Sequence, residues 1–181
     1  MKLFNAVLSA VLFRSVKSVL TDHGVEGPTT INNHNDTREM LSIAANLALF
    51  KPTEQSSTDF GGTASRAVDG IRDGAIQSGS VTHTRSDGAA DNWWQVDLQA
   101  VSTINQVILY NRMDCCSDRL SNGKVQLLDA AKKVVVTRDI GNTYGVDKLS
   151  FTFQDTEARY VKVSVSGNVA LSLAEVEVYG V

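Results

Sequence analysis

Cysteine is scarce in this chain: its 181 residues include two, Cys115 and Cys116, and they are adjacent. Neither can pair with a distant cysteine of the same chain, so they bond to each other, bond to another molecule, or stay free. A bond between them would enclose no intervening residue, and would add little of the loop-closure entropy by which most disulfides stabilise a fold. We interpret such a bond as a rigid, apolar, locally strained surface against which something packs.

The chain also lacks an excess of positive charge and long apolar runs. Its formal net charge is -3, with acidic and basic residues interspersed, which gives no general electrostatic case for binding nucleic acid. It has no polybasic patch of the kind that anionic membranes attract, and no apolar run approaches the length of a membrane span. We therefore expect no nucleic-acid partner and no direct contact with a membrane.

Proline, with two residues in the chain, is nearly absent from the strand-like segments, as a paired sheet requires. Most of these segments alternate apolar and polar residues, which is typical of half-buried antiparallel strands. Helical periodicity is almost missing after the N-terminus. The pattern predicts an all-β fold, a β-sandwich or jelly roll of about eight antiparallel strands. The clearest predicted strands are Asn92–Leu98, Thr103–Tyr110, Lys124–Leu128, Lys133–Thr137, Leu149–Phe153, Tyr160–Val165 and Ala174–Tyr179.

The first 45 residues differ in character from the rest. Residues 1–20 place Lys2 before the apolar stretch Leu3–Phe13, which is typical of a secretory signal peptide but also fits an amphipathic N-terminal helix. Residues 21–45 are polar and rich in turn formers, which predicts a linker or disordered lead-in. The triplet Asn35–Thr37 within it is a sequon for N-glycosylation. We expect the folded domain to span residues 46–181.

Two arginines flank the cysteine pair in the run Arg112–Arg119. Guanidinium groups stay charged at any relevant pH and donate several hydrogen bonds in fixed planes. A rigid apolar surface between two such groups indicates a small polar ligand with one apolar face.

Two sets of residues point to a family. The segments Asn46–Ala48, Ala67–Gly70, Asn92–Leu98, Arg159–Val161 and Glu175–Val178 resemble the discoidin-like (coagulation factor C-type) jelly roll. Within that superfamily, His83 followed by Arg112-x-Asp114, a Cys-Cys pair and Arg119 resembles the F-type lectins, which bind L-fucose. The resemblance covers essentially residues 46–181.

The chain departs from the family pattern at two points. The gap between His83 and Arg112 is slightly longer than usual, and an insertion in the loop Thr84–Asp91 would absorb it. Met113 stands where glycine is frequent, which would change the geometry of its loop.

The resemblance implies a fucose site made of His83, Arg112, Asp114, Cys115, Cys116 and Arg119. The arginines and a neutral histidine would hydrogen-bond the sugar, and a disulfide would pack against its apolar edge. Asp114 would orient the arginines rather than touch the sugar, although a turn-capping role fits its position equally well. Phe60 and Ile76 are candidates for a pocket around the methyl group, whereas we expect Trp93 and Trp94 to be buried in the fold.

The resemblance also implies a calcium ion under the loops that carry His83. Its ligands would be the side chains of Asp69, Ser80 and Glu175 and the main-chain oxygens of Arg66, Ile71 and Ala174. A plain turn at Asp69 and a solvent-facing strand position for Glu175 are the alternatives. Calcium would stiffen these loops, so that less ordering is lost when the sugar binds.

We therefore expect a secreted lectin whose partners are fucosylated glycans, reached on membranes only indirectly through those glycans, with possible self-association. The alternative is a discoidin-type adhesion domain that binds a protein or phospholipid surface; such domains expose apolar loop residues. An enzyme has little support. No pair of carboxylates suggests a glycosidase, and Cys115 with His83 lacks a third orienting group.

Overall fold

The computed structural model describes residues 45–86 and 91–181. The predictions for residues 1–20, and for the linker before Ala45, lie outside this part. Six strands make up the described fold: β1 Thr53–Gln55, β2 Asp91–Asn111, β3 Lys124–Leu128, β4 Val134–Asp139, β5 Lys148–Ser166 and β6 Leu173–Gly180. Three short 3-10 helices accompany them, at Ala64–Val68, Ile76–Ser78 and Ser117–Leu120. None of the helices in the described residues is long and apolar enough to cross a membrane.

The described strands number six rather than about eight: the seven clearest predicted segments form five strands, because two pairs are each continuous, and β1 was not among them. The segments 92–98 and 103–110 both lie in β2, and 149–153 and 160–165 both lie in β5. The register between β2 and β5 shifts between Asp97 and Ser102, where Gln99 has a φ of 68°. The chain bends there without leaving the ladder, as strands do where they pass between the layers of a sandwich.

This bend lets β2 and β5 contribute to both layers. The first half of β2 pairs with β1 and with the second half of β5, which continues to β3 and β4. The second half of β2 pairs with β6 and with the first half of β5. Apolar side chains from both halves pack together, which confirms the jelly-roll sandwich. The core includes Trp94, Val96, Val107, Leu109, Val161, Val163, Val176 and Val178.

The two tryptophans of β2 alternate across the sheet. Trp94 is fully buried, and its indole N–H donates to the carbonyl of Ala64 at 2.8 Å. Trp93 is half-buried on the other face, with the Lys162 ammonium 5.1 Å from its ring centroid. Burial is therefore confirmed for Trp94 and is partial for Trp93.

The ends of the strands decide where the loops meet. β2 ends at Asn111, directly before Arg112. The segment that contains His83 lies beside the start of β6, because the Thr82 N–H donates to the Leu173 carbonyl at 2.8 Å. The far end of β6 lies beside the bend, where the Val181 N–H donates to the Thr103 carbonyl at 2.9 Å. His83 and Arg112 therefore lie at the same end of the sandwich, opposite Val181.

Candidate functional site

One cavity of about 330 Å³ lies at this end of the sandwich. Four of the six predicted sugar-site residues line it, together with both candidates for the methyl pocket: Phe60, Ile76, His83, Arg112, Cys115 and Arg119. Asp114 and Cys116 do not line the cavity, but each contacts or adjoins a residue that does. Its lining combines two guanidinium groups and an imidazole with apolar side chains and a disulfide.

His83 is held by close packing of backbone against backbone. Its N–H donates to the carbonyl of Gly62 at 2.9 Å, and the ring of Phe60 meets the imidazole edge-on with centroids 5.1 Å apart. A Cβ on Gly62 would lie 2.5 Å from the backbone nitrogen of His83, so only glycine allows this approach. Gly62 is a positioning residue that the sequence reasoning did not identify; the Gly61-Gly62 pair after Phe60 was its only signal.

His83 as a residue is 4% exposed, and its buried Nδ1 has no hydrogen-bond partner among the described residues. Burial is the main reason that its pKa is lowered from 6.5, and the charges of Arg112 and Arg119 act in the same direction. The ring is therefore neutral at pH 7. A neutral imidazole that lines the cavity can donate to or accept from a ligand hydroxyl.

Asp114 fixes the direction of Arg112. The Arg112 Nε donates to Asp114 Oδ1 at 2.6 Å and a terminal nitrogen donates to Oδ2 at 3.3 Å, a bidentate pair. The same carboxylate accepts from the N–H groups of Cys115 at 3.0 Å and Ile76 at 3.3 Å. The pKa of Asp114 is lowered chiefly by its bond to Arg112. Asp114 therefore orients Arg112, rather than both arginines as the sequence predicted, and it also caps the turn.

Arg119 is placed differently. It lies in the 3-10 helix Ser117–Leu120, and its N–H donates to the carbonyl of Cys116 at 3.1 Å. Asp114 does not reach it, and no carboxylate in residues 45–86 and 91–181 pairs with its guanidinium. Its side chain therefore lines the cavity without a carboxylate partner in this part of the chain.

The two cysteines are bonded to each other, with Cα atoms 3.8 Å apart. Cys116 has a φ of 59° and begins the helix that carries Arg119. The disulfide therefore links the turn of Arg112 to the helix of Arg119. The neighbouring Met113 is 40% exposed, and its N–H donates to the carbonyl of Gly74 at 2.9 Å.

Glu175 has the properties of a cation ligand. It is fully buried in β6; Oε1 accepts from the Gly70 N–H at 3.1 Å, while Oε2 has no partner among the described residues. Burial raises its pKa to about 8, with smaller contributions from the negative charges of Asp69 and Glu177. The alternative of a solvent-facing Glu175 is wrong. A cation would supply the charge and the contact that Oε2 lacks.

Of the other predicted calcium ligands, Asp69 adjoins Gly70, which donates to Glu175, and Ala174 precedes Glu175 in the chain. Asp69 ends the 3-10 helix Ala64–Val68, and its Oδ1 accepts from the Ile71 N–H at 2.9 Å. Ser80 is buried, and Arg66 donates to the carbonyl of the next residue, Val81, at 3.1 Å. Ala174 is buried directly before Glu175.

The described residues contain no group of three or more His, Cys, Asp or Glu side chains placed to hold a metal. The predicted set has two carboxylates, so a serine hydroxyl and carbonyl oxygens would complete it. The residues present fit calcium, which prefers such oxygen ligands.

Residues 66–163 match the NedA-like, galactose-binding domain family of the F5/F8 C type. Fucolectin-3 of Anguilla japonica is 34% identical over 146 residues, which cover 75% of this chain and 79% of the relative. The lectin domain of lectinolysin, solved with Lewis B antigen, is 44% identical with a TM-score of 0.72. The match covers 76% of this chain and 97% of the lectinolysin domain. A fucose binding module from Streptococcus pneumoniae is 45% identical with a TM-score of 0.72, covering 76% of this chain and 96% of its own.

These relatives are lectins and carbohydrate-binding modules, so the chain is a binding domain rather than an enzyme. The match to the family and to Fucolectin-3 agrees with the fold. The chain belongs to the F-type lectin (fucolectin) family, within the discoidin-like, coagulation factor C-type domains.

Proposed function

We propose that this chain binds the terminal L-fucose of glycans in the cavity between His83, Arg112 and Arg119. The observation that carries the proposal is the convergence of hydrogen-bonding groups on one small cavity. The imidazole of His83 and the guanidinium groups of Arg112 and Arg119 line the same cavity, and a ligand with several hydroxyls would meet all three.

The charges suit a neutral sugar. Arg112 is already neutralised by Asp114, and it keeps donors for a ligand in the plane that the carboxylate fixes. Arg119 brings donors from the other side of the disulfide. Charge-assisted hydrogen bonds to sugar hydroxyls are stronger than neutral ones, and they offset the cost of removing those hydroxyls from water.

The apolar part of the lining matches the rest of the sugar. Fucose carries a methyl group, and Phe60 and Ile76 line the same cavity as the arginines. Cys115 contributes the edge of the disulfide, a rigid surface that loses little entropy on contact. Polar donors opposite apolar walls would favour a deoxy sugar over one with a hydroxyl at the methyl position.

Calcium would serve this site by holding the segment 69–80. Asp69, Ser80 and Glu175 would provide side-chain oxygens, and Arg66, Ile71 and Ala174 main-chain oxygens, to an ion that neutralises the buried carboxylates. Within this segment, the carbonyl of Gly74 accepts from the Met113 N–H at 2.9 Å, and the Ile76 N–H donates to Asp114 at 3.3 Å. A stiff segment would therefore stiffen the loop of Arg112 as well as that of His83.

The partners would be fucosylated glycans outside the cell. A relative, the lectin domain of lectinolysin, has been solved with Lewis B antigen, and its similarity supports this ligand class. A single monosaccharide site binds weakly, so self-association would be needed to raise the avidity. The disulfide fits secretion, because such bonds persist in oxidising compartments.

A screen against immobilised glycans, followed by calorimetry with methyl α-L-fucoside, tests the proposal. We expect binding only to glycans with terminal fucose, and inhibition by the free fucoside. Binding to phospholipid vesicles without fucoside binding would instead indicate the adhesion-domain alternative, and would contradict the proposal.

A further inference from the structure

Another cavity, of about 460 Å³, lies on the outer face of the layer formed by β6, the second half of β2 and the first half of β5. Its lining shares no residue with the cavity that contains His83. Its volume is within the range of small-ligand sites. The residues that decide its chemistry are Arg72, Asn105, Gln106, Tyr110, Lys148 and Tyr179.

The carboxylate of this cavity is already occupied within the chain. Glu177 is 4% exposed, and its Oε1 accepts from the Arg72 Nε at 2.7 Å. Its Oε2 accepts from the hydroxyls of Tyr179 at 3.1 Å and Tyr110 at 3.4 Å. Because both oxygens have partners, Glu177 holds the lining together and does not need a ligand.

Two cations approach one tyrosine ring in the lining. The Arg72 guanidinium lies 4.9 Å and the Lys148 ammonium 5.7 Å from the centroid of the Tyr110 ring. Arg72 is neutralised by Glu177, whereas no carboxylate in the described residues forms an ion pair with Lys148. The lining therefore has an excess of one positive charge, although the formal net charge of the whole chain is -3.

A β-bulge directs two consecutive amide side chains into the cavity. Ile104 lies opposite Gly180 of β6 and Gln106 lies opposite Tyr179, so Asn105 is an extra residue in β2. Consecutive side chains of a regular strand point to opposite faces, whereas Asn105 and Gln106 line the same cavity. The bulge therefore supplies two amides, each able to donate and to accept hydrogen bonds, where a regular strand would supply one.

We infer that this cavity is a second ligand site, for an acidic sugar that carries a carboxylate or a sulfate group. Lys148 and the remaining donors of the exposed Arg72 would hold the oxyanion by charge-assisted hydrogen bonds. The amides of Asn105 and Gln106 would bind ring hydroxyls, and Ile108 with the tyrosine rings would contact the carbon face of the sugar. The inference goes beyond the proposed function and does not depend on it, because no residue is common to the two sites.

Three variants test the site. Lys148→Gln removes the unpaired charge, and Asn105→Ala removes the amide that the bulge supplies at an exposed position. Lys162→Gln is the matched control, because the Lys162 ammonium also lies over an aromatic ring, 5.1 Å from the Trp93 centroid, on the other layer. Since both lysine variants change the net charge equally, a difference between them cannot come from overall charge.

Calorimetry on the full chain, in saturating methyl α-L-fucoside, would compare sulfated lactose, sialyllactose, unmodified lactose and a hexaglutamate peptide. We expect at least one of the two acidic sugars to bind, with lactose and hexaglutamate at least about tenfold weaker. Binding of sulfated lactose alone would assign the oxyanion as a sulfate, and binding of sialyllactose alone as a carboxylate. Lys148→Gln should weaken the acidic sugar about tenfold and Asn105→Ala about fivefold, the loss of one charge-assisted and one neutral hydrogen bond, while Lys162→Gln should keep the affinity.

The inference is overturned if neither acidic sugar binds at millimolar concentration, or if lactose binds equally well. An unchanged affinity in Lys148→Gln, or the same loss in Lys148→Gln and Lys162→Gln, would also overturn it, because binding would then lie elsewhere or follow overall charge. Equal binding of hexaglutamate would contradict a sugar as the ligand and indicate an acidic peptide. Failure of the unsubstituted chain to bind the fucoside would instead contradict the proposed function and leave this inference standing.

Discussion

Gly62→Ala should damage fucose binding without adding any group to the cavity. The new Cβ would lie 2.5 Å from the His83 nitrogen and 2.7 Å from its Cβ, against a lower limit of 3.4 Å for ordinary contact. One of the two backbones must therefore move by about 0.9 Å, the difference between 3.4 and 2.5 Å. Overpacking of this kind costs about 1–3 kcal/mol, of which the lower entropy of the unfolded alanine chain offsets about 0.4–1.

A displaced His83 would lose its hydrogen bond to the sugar, which is worth about 1 kcal/mol, so we expect a roughly fivefold to tenfold weaker fucoside affinity in calorimetry. Gly61→Ala is the matched control. Gly61 has a φ of 66° with no atom within 4 Å of a new Cβ, so this variant strains its own backbone without touching His83. Thermal unfolding should show both variants destabilised, and fucoside binding should fall only in Gly62→Ala. An unchanged fucoside affinity in Gly62→Ala would refute the claim that this contact positions His83.

Three further predictions concern the groups around the cavity. Burial lowers the pKa of His83 below 6.5, so fucoside affinity should be constant above pH 6.5 and should fall as the pH drops through the lowered pKa. In calorimetric titrations, a loss of affinity centred above pH 6.5 would contradict this. Exhaustive chelation of calcium should lower the melting temperature and weaken fucoside binding together, and Glu175→Gln should reduce both responses to added calcium. If metal analysis finds no calcium and chelation changes neither property, the proposal of a calcium site is contradicted. Reduction of the Cys115–Cys116 bond should weaken fucoside binding with little loss of global stability, since the bond encloses no loop, and two alkylated thiols in mass spectra of native protein would show that the bond is absent.

The sequence predicted the layers of the fold better than its strand count. Alternation identified the buried faces of β2 and β5, because side-chain direction follows directly from strand period. It placed a break in each strand, as at Gln99–Ser102, where the backbone bends but pairs with the same neighbouring strand on both sides. Whether hydrogen-bonded pairing resumes after a bend depends on the neighbouring strands, and the local sequence pattern carries no information about those neighbours.

In the candidate site too, the sequence predicted what depends on nearby residues and missed what depends on contacts in the fold. The arginine–cysteine run was recognisable because its members are close in sequence, and the structure brings four of the predicted residues into one cavity. The pairing of Asp114 with Arg112 alone was not predictable, nor was the approach of Gly62 to His83. Both depend on contacts between loops that are distant in the chain or on side-chain direction within a turn.

The central claim is that fucose is bound by fixed guanidinium donors in the cavity between His83, Arg112 and Arg119. Calorimetry of Arg119→Lys with methyl α-L-fucoside tests it most directly, because lysine keeps the charge but not the planar set of donors. Arg138→Lys is the control, since Arg138 lies on β4 over the ring of Phe153, outside the cavity lining. We predict that Arg119→Lys shows no measurable fucoside binding while its melting temperature and the affinity of Arg138→Lys match those of the unsubstituted chain. A near-normal fucoside affinity in a folded Arg119→Lys variant would contradict the account.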